Sequence, residues 1–321
     1  MTVAFQTSTS IASNELLVDA IATFAAANGW TIESNTLVAA VRTVTLRKPG
    51  VSDYIHIFTT STNQIRMRAS TSFDPAFPPG QQVGVTPADC QVNNLLGPYP
   101  NVWFFANGDE INIVVRRSDT TGAYSHMAFG VLTKYGTFNG GTFIDGSYFN
   151  PTGSSSGNWD ANNDHALFGY GNNAYGYIRI DADSLVNKWF PICNTSAADI
   201  AFSGVGPLGS ANMYSANQLG PTYDLGRLIN GADDNVFSGR SILHVIDIMF
   251  RRQGTPVYLS PAGYISNTRY VSLAKFDPEQ ELSIADETWM VFPVVRKGAE
   301  SSTSGAPNAS ANNGYAIRKV A

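Results

Sequence analysis

The sequence predicts a mainly β protein that begins with an α+β module. Near the N-terminus, one stretch has apolar residues at helical spacing, and the residues after it alternate between apolar and polar types. In the second half, short strand-like runs recur with turn residues between them. We therefore predict an amphipathic helix on an antiparallel sheet over residues 1–135. A β-rich domain, similar to a sandwich or barrel and carrying long loops, is predicted over residues 136–321.

The helix is predicted in the stretch SNELLVDAIATFAAANGW, residues 13–30. The apolar residues that fall on one face are Leu17, Ala20, Ile21 and Phe24. Ser13 or Asn14 can cap the start of this helix, and Gly29 can end it. The pattern indicates an amphipathic helix that lies on an apolar surface.

Alternation after the helix predicts the strands of the first module. The strongest turn signal is Asn107-Gly108, which predicts that the runs on either side of it pair as a hairpin. The predicted strands are Leu37–Leu46, Tyr54–Thr60, Ile65–Ser70, Val102–Ala106, Glu110–Arg117 and Tyr124–Leu132. The stretch FDPAFPPGQQ (73–82) is excluded from a central strand because proline has no backbone N–H to donate.

The second region has weaker local signals. Alternation predicts strands in GYIRID (176–181) and SILHVIDIMFRRQG (241–254), and a closing strand in GYAIRKV (314–320). The closing strand follows a flexible Ser/Ala/Asn linker at 299–313. Pro293 inside a strand-like run predicts an edge or a bulge. The stretches that look like arms reaching neighbouring copies are 72–100, 150–165 and the linker.

Composition favours large protein–protein interfaces. Hydrophobic residues make up 43% of the chain but charged residues only 14%, with a net charge of -5. The 14 Tyr and 18 Phe residues fit interface cores, which gain aromatic residues and lose charged ones. The negative net charge argues against nucleic acid as a partner. No signal peptide and no membrane span is predicted, so we expect a protein made in the cytoplasm.

The segment FSGVGPLGSAN (202–212) contains a G-x-G-x-x-G pattern formed by Gly204, Gly206 and Gly209, and Asp224 follows it. A dinucleotide site needs a buried strand before these glycines and a helix that starts within them. The sequence after the glycines has no amphipathic period, and Pro221 interrupts it. We interpret the segment as a glycine-rich loop and predict no cofactor.

No catalytic or metal-binding cluster is predicted. The four histidines are scattered without the spacing of a zinc site: His56, His126, His165 and His244. Asp160, Asn162 and Asp164 resemble the start of a calcium loop, but its glycine and final glutamate are absent. Ser125 and His126 are adjacent in a predicted strand, so they point to opposite faces and cannot act as nucleophile and base.

Two cysteines, Cys90 and Cys193, lie far apart in the sequence. A single distant pair does not define a disulfide framework. We favour two reduced, mostly buried thiols, and pairing between them stays open.

Three segments together resemble virion proteins of tailed bacteriophages. They are YSHMAFGVLTKYGTFNGGTF (124–143), the C-terminal run RYVSLAKF…ETWMVFPVVRKG…GYAIRKV (269–320), and the N-terminal helix that ends in NGW. Because they fall at the beginning, middle and end, the resemblance could span the whole chain. It implies a structural, non-enzymatic role in the tail, baseplate or neck, and it offers no catalytic residues.

Three functions follow from these observations. The first is a virion structural protein that forms a symmetric homo-oligomer and contacts other virion proteins. The second is a tail-tip protein that binds a host receptor or glycan through exposed aromatic residues, namely Trp159, Tyr170, Tyr175 and Tyr177. The third, ranked lowest, is an enzyme: a depolymerase using Asp160 and Asp164, or a nucleotide enzyme using Gly204–Gly209.

Overall fold

A computed structural model describes residues 3–60, 64–92, 95, 97–117, 123–147, 167–168, 176–181, 189–192, 213–215, 243–252, 258–273, 275–294, 297 and 313–320. These residues include one α-helix, α1 (Asn14–Ala27), and one 3₁₀ turn, Pro79–Gln81. The strands are β1 (Ala4–Ile11), β2 (Thr31–Val38), β3 (Val41–Arg47), β4 (Tyr54–Thr59), β5 (Ile65–Ser70), β6 (Cys90–Val92), β7 (Tyr99–Ala106), β8 (Glu110–Arg116), β9 (Tyr124–Val131), β10 (Thr133–Lys134), β11 (Asn139–Gly146), β12 (Gly176–Asp181), β13 (Trp189–Ile192), β14 (Met213–Ser215), β15 (His244–Arg252), β16 (Tyr258–Ser272), β17 (Glu281–Ile284), β18 (Glu287–Pro293) and β19 (Asn313–Val320).

The described strands form two sheets. The small sheet has five strands in the order β2-β3-β4-β5-β6. The large sheet has 14 strands in the order β1-β7-β8-β9-β11-β12-β13-β14-β15-β16-β19-β18-β17, and β10 pairs with β16. Neighbouring strands are antiparallel except β13 and β14, which are parallel. The prediction of a mainly β fold with one helix near the N-terminus is confirmed.

Helix α1 forms where the sequence predicts it. The Ser13 side chain accepts a hydrogen bond from the backbone N–H of Leu16, which satisfies one of the free donors at the helix start. Gly29 follows the helix with a φ of +84°, a conformation that glycine adopts without steric cost. The helix packs between the small sheet and β7, where the rings of Phe24 and Phe104 lie 5.4 Å apart.

The predicted strand Leu37–Leu46 is wrong, because a turn divides it into β2 and β3. Ala39 and Ala40 form this turn with φ values of +48° and +64°. The sequence prediction fails here because alanine is not a turn residue, and two-residue hairpin turns of this kind favour asparagine and glycine. The predicted hairpin at Asn107-Gly108, in contrast, is confirmed as β7 and β8.

Strand β7 is buried on both faces, which explains its continuous apolar run. Val102 and Phe104 face a core shared with the helix and the small sheet. Trp103 and Phe105 face a second core, which contains Phe292 from β18 and residues of β15, β16 and β19. The large sheet therefore turns back over its own strands and encloses the second core, while the first core joins it to the small sheet.

A buried ion pair also connects the two sheets. Arg179 in β12 bonds to Asp53, which lies in the connection between β3 and β4, and both side chains are almost fully buried. Asp53 also accepts a hydrogen bond of 2.5 Å from the Thr142 hydroxyl, and Arg179 bonds to Asp181. Since each charged group has a partner of opposite charge, this cluster fixes the sheets without exposing charge.

The described part of the stretch 72–100 packs on its own chain instead of extending as an arm. The ring of Phe73 lies 6.0 Å from that of His56 on the face of the small sheet away from the helix. The Gln82 side chain donates to the carbonyls of Asp74 and Phe77, and β6 adds to the edge of β5. The other two stretches predicted as arms are 150–165, which lies outside the described residues, and 299–313, of which only residue 313 is described, as the first residue of β19.

Other local predictions have mixed outcomes. Gly140 and Gly141 have positive φ, which glycine adopts without steric cost, and they lie where the pairing of β11 and β12 changes register. Pro293 is the last residue of β18 and pairs with Gly314. The domain boundary at residue 135 stays a prediction, and the pairing of β9 with β11 continues the large sheet across it. Cys90 is buried, as predicted, and Cys193 lies outside the described residues.

Candidate functional site

The structure brings together one serine and one histidine that resemble a nucleophile and its base. His56 Nε2 lies 2.8 Å from Ser70 Oγ, and Thr45 Oγ1 lies 3.0 Å from His56 Nδ1. The Ser70 hydroxyl donates to the carbonyl of Ser72 at 2.7 Å, so it accepts from His56 Nε2, which carries the ring proton. Burial lowers the pKa of His56 to about 4. All three side chains are buried, and a protonated Nε2 cannot accept the serine proton.

The pair Ser125 and His126 behaves as the alternation predicts. The Nε2 of His126 lies 2.8 Å from the carbonyl of Pro293. Within the part of the chain that the structure describes, Ser125 Oγ and His126 Nδ1 have no hydrogen-bond partner, and they do not bond to each other. Burial lowers the pKa of His126 to about 4, so this histidine is neutral at pH 7.

Glu110 is a fully buried carboxylate at the start of β8. It accepts hydrogen bonds from the hydroxyl and backbone N–H of Ser266 and from the backbone N–H of Asn267, both in β16. Burial raises the pKa of Glu110, while these hydrogen bonds act in the opposite direction. The donors all come from the protein backbone and one serine, so the carboxylate joins β8 to β16 and has no free face for a substrate.

The exposed apolar residues near the tip of the β2–β3 hairpin form a candidate interaction surface. Leu37 is 53% exposed and Val38 is 70% exposed. Asn35 in β2 bonds to Asp19 in α1 at 2.8 Å, which fixes the strand against the helix. Leu16 lies one helical turn before Asp19 and Leu37 lies two residues after Asn35, so the two leucines lie at the same end of the sheet.

Ile32 extends this surface along β2. The pairing of β2 with β3 shifts register between Ile32 and Ser34, so Ile32 and Leu37 both face the helix side. Strand β2 is also an edge of the small sheet, and most of its residues are exposed. We name Leu16, Ile32, Leu37 and Val38 the hairpin-tip surface.

A second group lies on the outer side of the large sheet, where Tyr135 is exposed and Tyr264 and Asp247 are half-buried. The rings of Tyr135 and Tyr264 are 5.5 Å apart, and the Tyr135 hydroxyl donates to Asp247 at 2.5 Å. Burial, followed by this hydrogen bond, raises the pKa of Tyr135 to about 12. We name Tyr135, Tyr264 and Asp247 the tyrosine surface.

The residues predicted to contact a glycan do not form a described site. Tyr177 in β12 is buried among the apolar residues shared with the helix, so the expectation that its ring is exposed is wrong. Its alternation with Ile178 gave no sign of which face was covered, because both faces of β12 are buried. The others, Trp159, Tyr170 and Tyr175, lie outside the described residues.

Further predicted features also lie outside the described residues: Gly204, Gly206, Gly209, Asp224, Asp160, Asn162, Asp164 and His165. Sequence reasoning missed the hairpin-tip surface. The run LVAAV (37–41) was a possible signal, because five apolar residues in succession cannot all face one core across a hairpin.

No protein-family model matches the chain, and no curated protein matches it. Among the residues that the structure describes, no three side chains of His, Cys, Asp or Glu are grouped as metal ligands. The described helix is too short to cross a membrane.

Proposed function

We propose that the protein is a non-enzymatic structural component of a tailed-phage particle, in its tail, baseplate or neck. In this proposal it assembles as a symmetric homo-oligomer in the virion and contacts other virion proteins. The observation that carries the proposal is the hairpin-tip surface, where large apolar side chains stand exposed beside an uncovered sheet edge. Exposed apolar groups next to a free edge favour association with another chain.

Two further observations support this proposal. The chain has few charged residues and many aromatic ones, which is the composition of interface cores. The pair His56 and Ser70 and the buried carboxylate Glu110 are used in internal hydrogen bonds, which gives them a role in stability. The sequence resemblance to virion proteins of tailed phages is the reason for proposing a phage particle as the assembly.

Purified phage particles test the proposal directly. An antibody against the protein should label one fixed position in electron micrographs, and quantitative mass spectrometry should give a constant copy number per particle. The isolated chain should also self-associate in sedimentation velocity. A chain that is monomeric and absent from particles would contradict the proposal.

A second candidate function is the binding of a host receptor or glycan at the tail tip. The tyrosine surface favours it, because exposed aromatic rings can stack on the apolar face of a sugar while Asp247 accepts hydrogen bonds from its hydroxyl groups. This surface differs from the residues that the sequence suggested.

Binding of the labelled protein to host cells and to an immobilised glycan panel tests this candidate. Tyr135→Ala should weaken binding by about tenfold or more, equivalent to about 1.4 kcal/mol. Phe77→Ala is the matched control, because Phe77 is a similarly exposed aromatic residue elsewhere on the surface. Equal binding by the two variants would remove the tyrosine surface as a binding site.

A further inference from the structure

We propose that β2 pairs antiparallel with β2 of a second copy of this chain, across a two-fold axis near the middle of the strand. The Leu37 end of each hairpin-tip surface then lies beside the Ile32 end of the other. This inference rests on the proposed function and names the surface through which the chain self-associates. Three features of the described residues carry it: a free strand edge, an apolar tip, and a local charge balance.

The first feature is the edge itself. Strand β2 pairs only with β3 among the described strands, so one row of its backbone N–H and C=O groups has no strand partner. Edge strands are commonly protected by proline, by charged residues, by a β-bulge or by a covering element. Strand β2, with the sequence TIESNTLV, has no proline or lysine; its one charged residue, Glu33, and its register shift both precede Ser34, and its residues Asn35–Val38 are all exposed. The register shift before Ser34 leaves Ser34–Val38 as the regular part of the edge.

The second feature is the tip. Solvent-exposed turns usually carry polar residues and, where φ is positive, asparagine or glycine. Here the turn consists of Ala39 and Ala40 at positive φ, preceded by Leu37 and Val38, which are both exposed. Turn chemistry therefore does not explain this sequence. An apolar tip that becomes covered on association does explain it.

The third feature identifies a second copy as the occupant. The charged side chains next to β2 are paired within the chain: Arg47 bonds to Glu33 at 2.6 Å, and Arg42 lies 3.6 Å from Asp19. Glu15, beside Leu16, adds one negative charge that Arg42 partly offsets, so the charges around the surface nearly balance and two identical copies meet with little repulsion. A strongly charged partner would find little uncompensated opposite charge among these residues.

A two-fold axis would also bring apolar side chains of the two copies together. In an antiparallel pair related by a two-fold axis, the end of one strand lies beside the start of the other. Leu37 of each copy is then brought toward Ile32 of the other copy. Both side chains lie on the helix side because of the register shift. The two-fold axis therefore creates two equivalent contacts, and each contact covers one exposed Leu37 and one exposed Ile32.

Sedimentation velocity of the full-length chain at several concentrations tests the inference. We expect the wild type to form dimers or larger even-numbered species. The double variant Leu37→Lys/Val38→Lys should raise the dissociation constant by at least about 100-fold, because lysine on an edge opposes strand pairing. The matched control is Val245→Lys/Ile284→Lys, whose native residues are apolar and 43% and 45% exposed, and it should associate like the wild type.

A cysteine variant provides an independent test in a chain with unchanged charge. Ser34 lies near the proposed axis, so Ser34→Cys should form a disulfide-linked dimer on mild oxidation. Ser283→Cys, on the exposed edge strand β17, should not do so. The wild type is oxidised in parallel, which measures any cross-linking by its own cysteines.

The outcomes separate this inference from the proposed function. An oligomer that persists in Leu37→Lys/Val38→Lys, together with no excess cross-linking of Ser34→Cys, overturns the β2 pairing and leaves the proposed function standing. A monomeric wild type also overturns the pairing, and the proposed function then depends on the particle experiment alone. Loss of association in the lysine variant, with retention in the control and cross-linking through Ser34→Cys, supports the pairing.

Discussion

The turns of the two hairpins β2–β3 and β7–β8 both require positive φ, but they use different residues to adopt it. At the β7–β8 turn, the Asn107 side chain accepts hydrogen bonds from the backbone N–H groups of Asp109 and Glu110 and donates to Ser266 at 2.6 Å. Gly108 supplies a φ of +87°. At the β2–β3 turn, Ala39 and Ala40 adopt positive φ without any side-chain hydrogen bond.

The difference shows that the residue types at a turn depend on whether another part of the chain packs against that turn. In the β7–β8 turn, Asn107 and Glu110 are buried and bonded to Ser266 of β16, whereas Gly108 is exposed. The β2–β3 turn projects into solvent and is preceded by two apolar residues, Leu37 and Val38, that are 53% and 70% exposed. We infer that the first turn is a permanent internal contact, whereas the second is reserved for a contact outside the chain.

The largest expected effect is at the covered hairpin. Glu110→Ala should lower the free energy of unfolding by about 3–5 kcal/mol, because it leaves the backbone N–H groups of Ser266 and Asn267 buried without an acceptor. Urea denaturation measures this change. Glu281→Ala is the control: Glu281 forms a partly exposed ion pair with Lys319, and its loss should cost at most about 1 kcal/mol. Equal losses would show that β8 does not depend on this contact.

Acid should weaken the strands beside both hairpins. His56 pairs with Thr45 of β3, His126 pairs with Val114 of β8, and burial lowers both pKa values from 6.5 to about 4. A lowered folded-state pKa means that the stability contribution is present above pH 6.5 and is lost as the pH falls toward 4. The expected loss is on the order of 3 kcal/mol for each histidine.

Urea denaturation between pH 7 and pH 4 measures this dependence. His56→Gln and His126→Gln should each have a flatter pH profile than the wild type, although both will be less stable at pH 7. A profile as steep as that of the wild type would mean that the substituted histidine is protonated equally in the folded and unfolded states.

The Asn107 side chain should make a smaller contribution. Asn107→Ala removes three hydrogen bonds of the covered turn and should lower the free energy of unfolding by about 1–3 kcal/mol. Asn139→Ala, at an exposed asparagine at the start of β11, should change it by no more than about 0.5 kcal/mol. A neutral Asn107→Ala would contradict the importance of the bonded turn.

The smallest expected effect is a gain at the exposed turn. Ala40→Gly should raise the free energy of unfolding by about 1 kcal/mol, because glycine adopts positive φ without the steric cost that alanine carries. Ala20→Gly in α1 should have the opposite sign and a similar size. Both are measured by urea denaturation at one fixed protein concentration, because the proposed association would also stabilise the folded chain. A destabilising Ala40→Gly would show that the turn is not strained.

The correct sequence predictions rest on local signals. Ser13 and the apolar spacing after it define α1, and Asn107-Gly108 defines the β7–β8 hairpin, because capping and turn formation involve residues that are neighbours in the chain. Strand β1 was not predicted, since its sequence AFQTSTSI is mostly polar and partly exposed. It forms because β7 offers it an edge with which to pair.

The candidate surfaces depended on contacts that the sequence does not reveal. Tyr177 and Tyr135 are both tyrosines in β-rich segments, yet the first is buried and the second is exposed. The segments that cover Tyr177 are distant in sequence. Likewise, His56 and Ser70 become bonded only because β4 and β5 pair in one particular register.

The sequence by itself determined the fold class, the position of the helix and the covered hairpin, because periodicity, capping and turn preference act over a few residues. Only the tertiary structure decided which strand faces are covered, which sheet edge stays open, and where the apolar run at residues 37–41 is placed. Those outcomes depend on pairing and packing between distant segments, and many registers are compatible with the same local pattern.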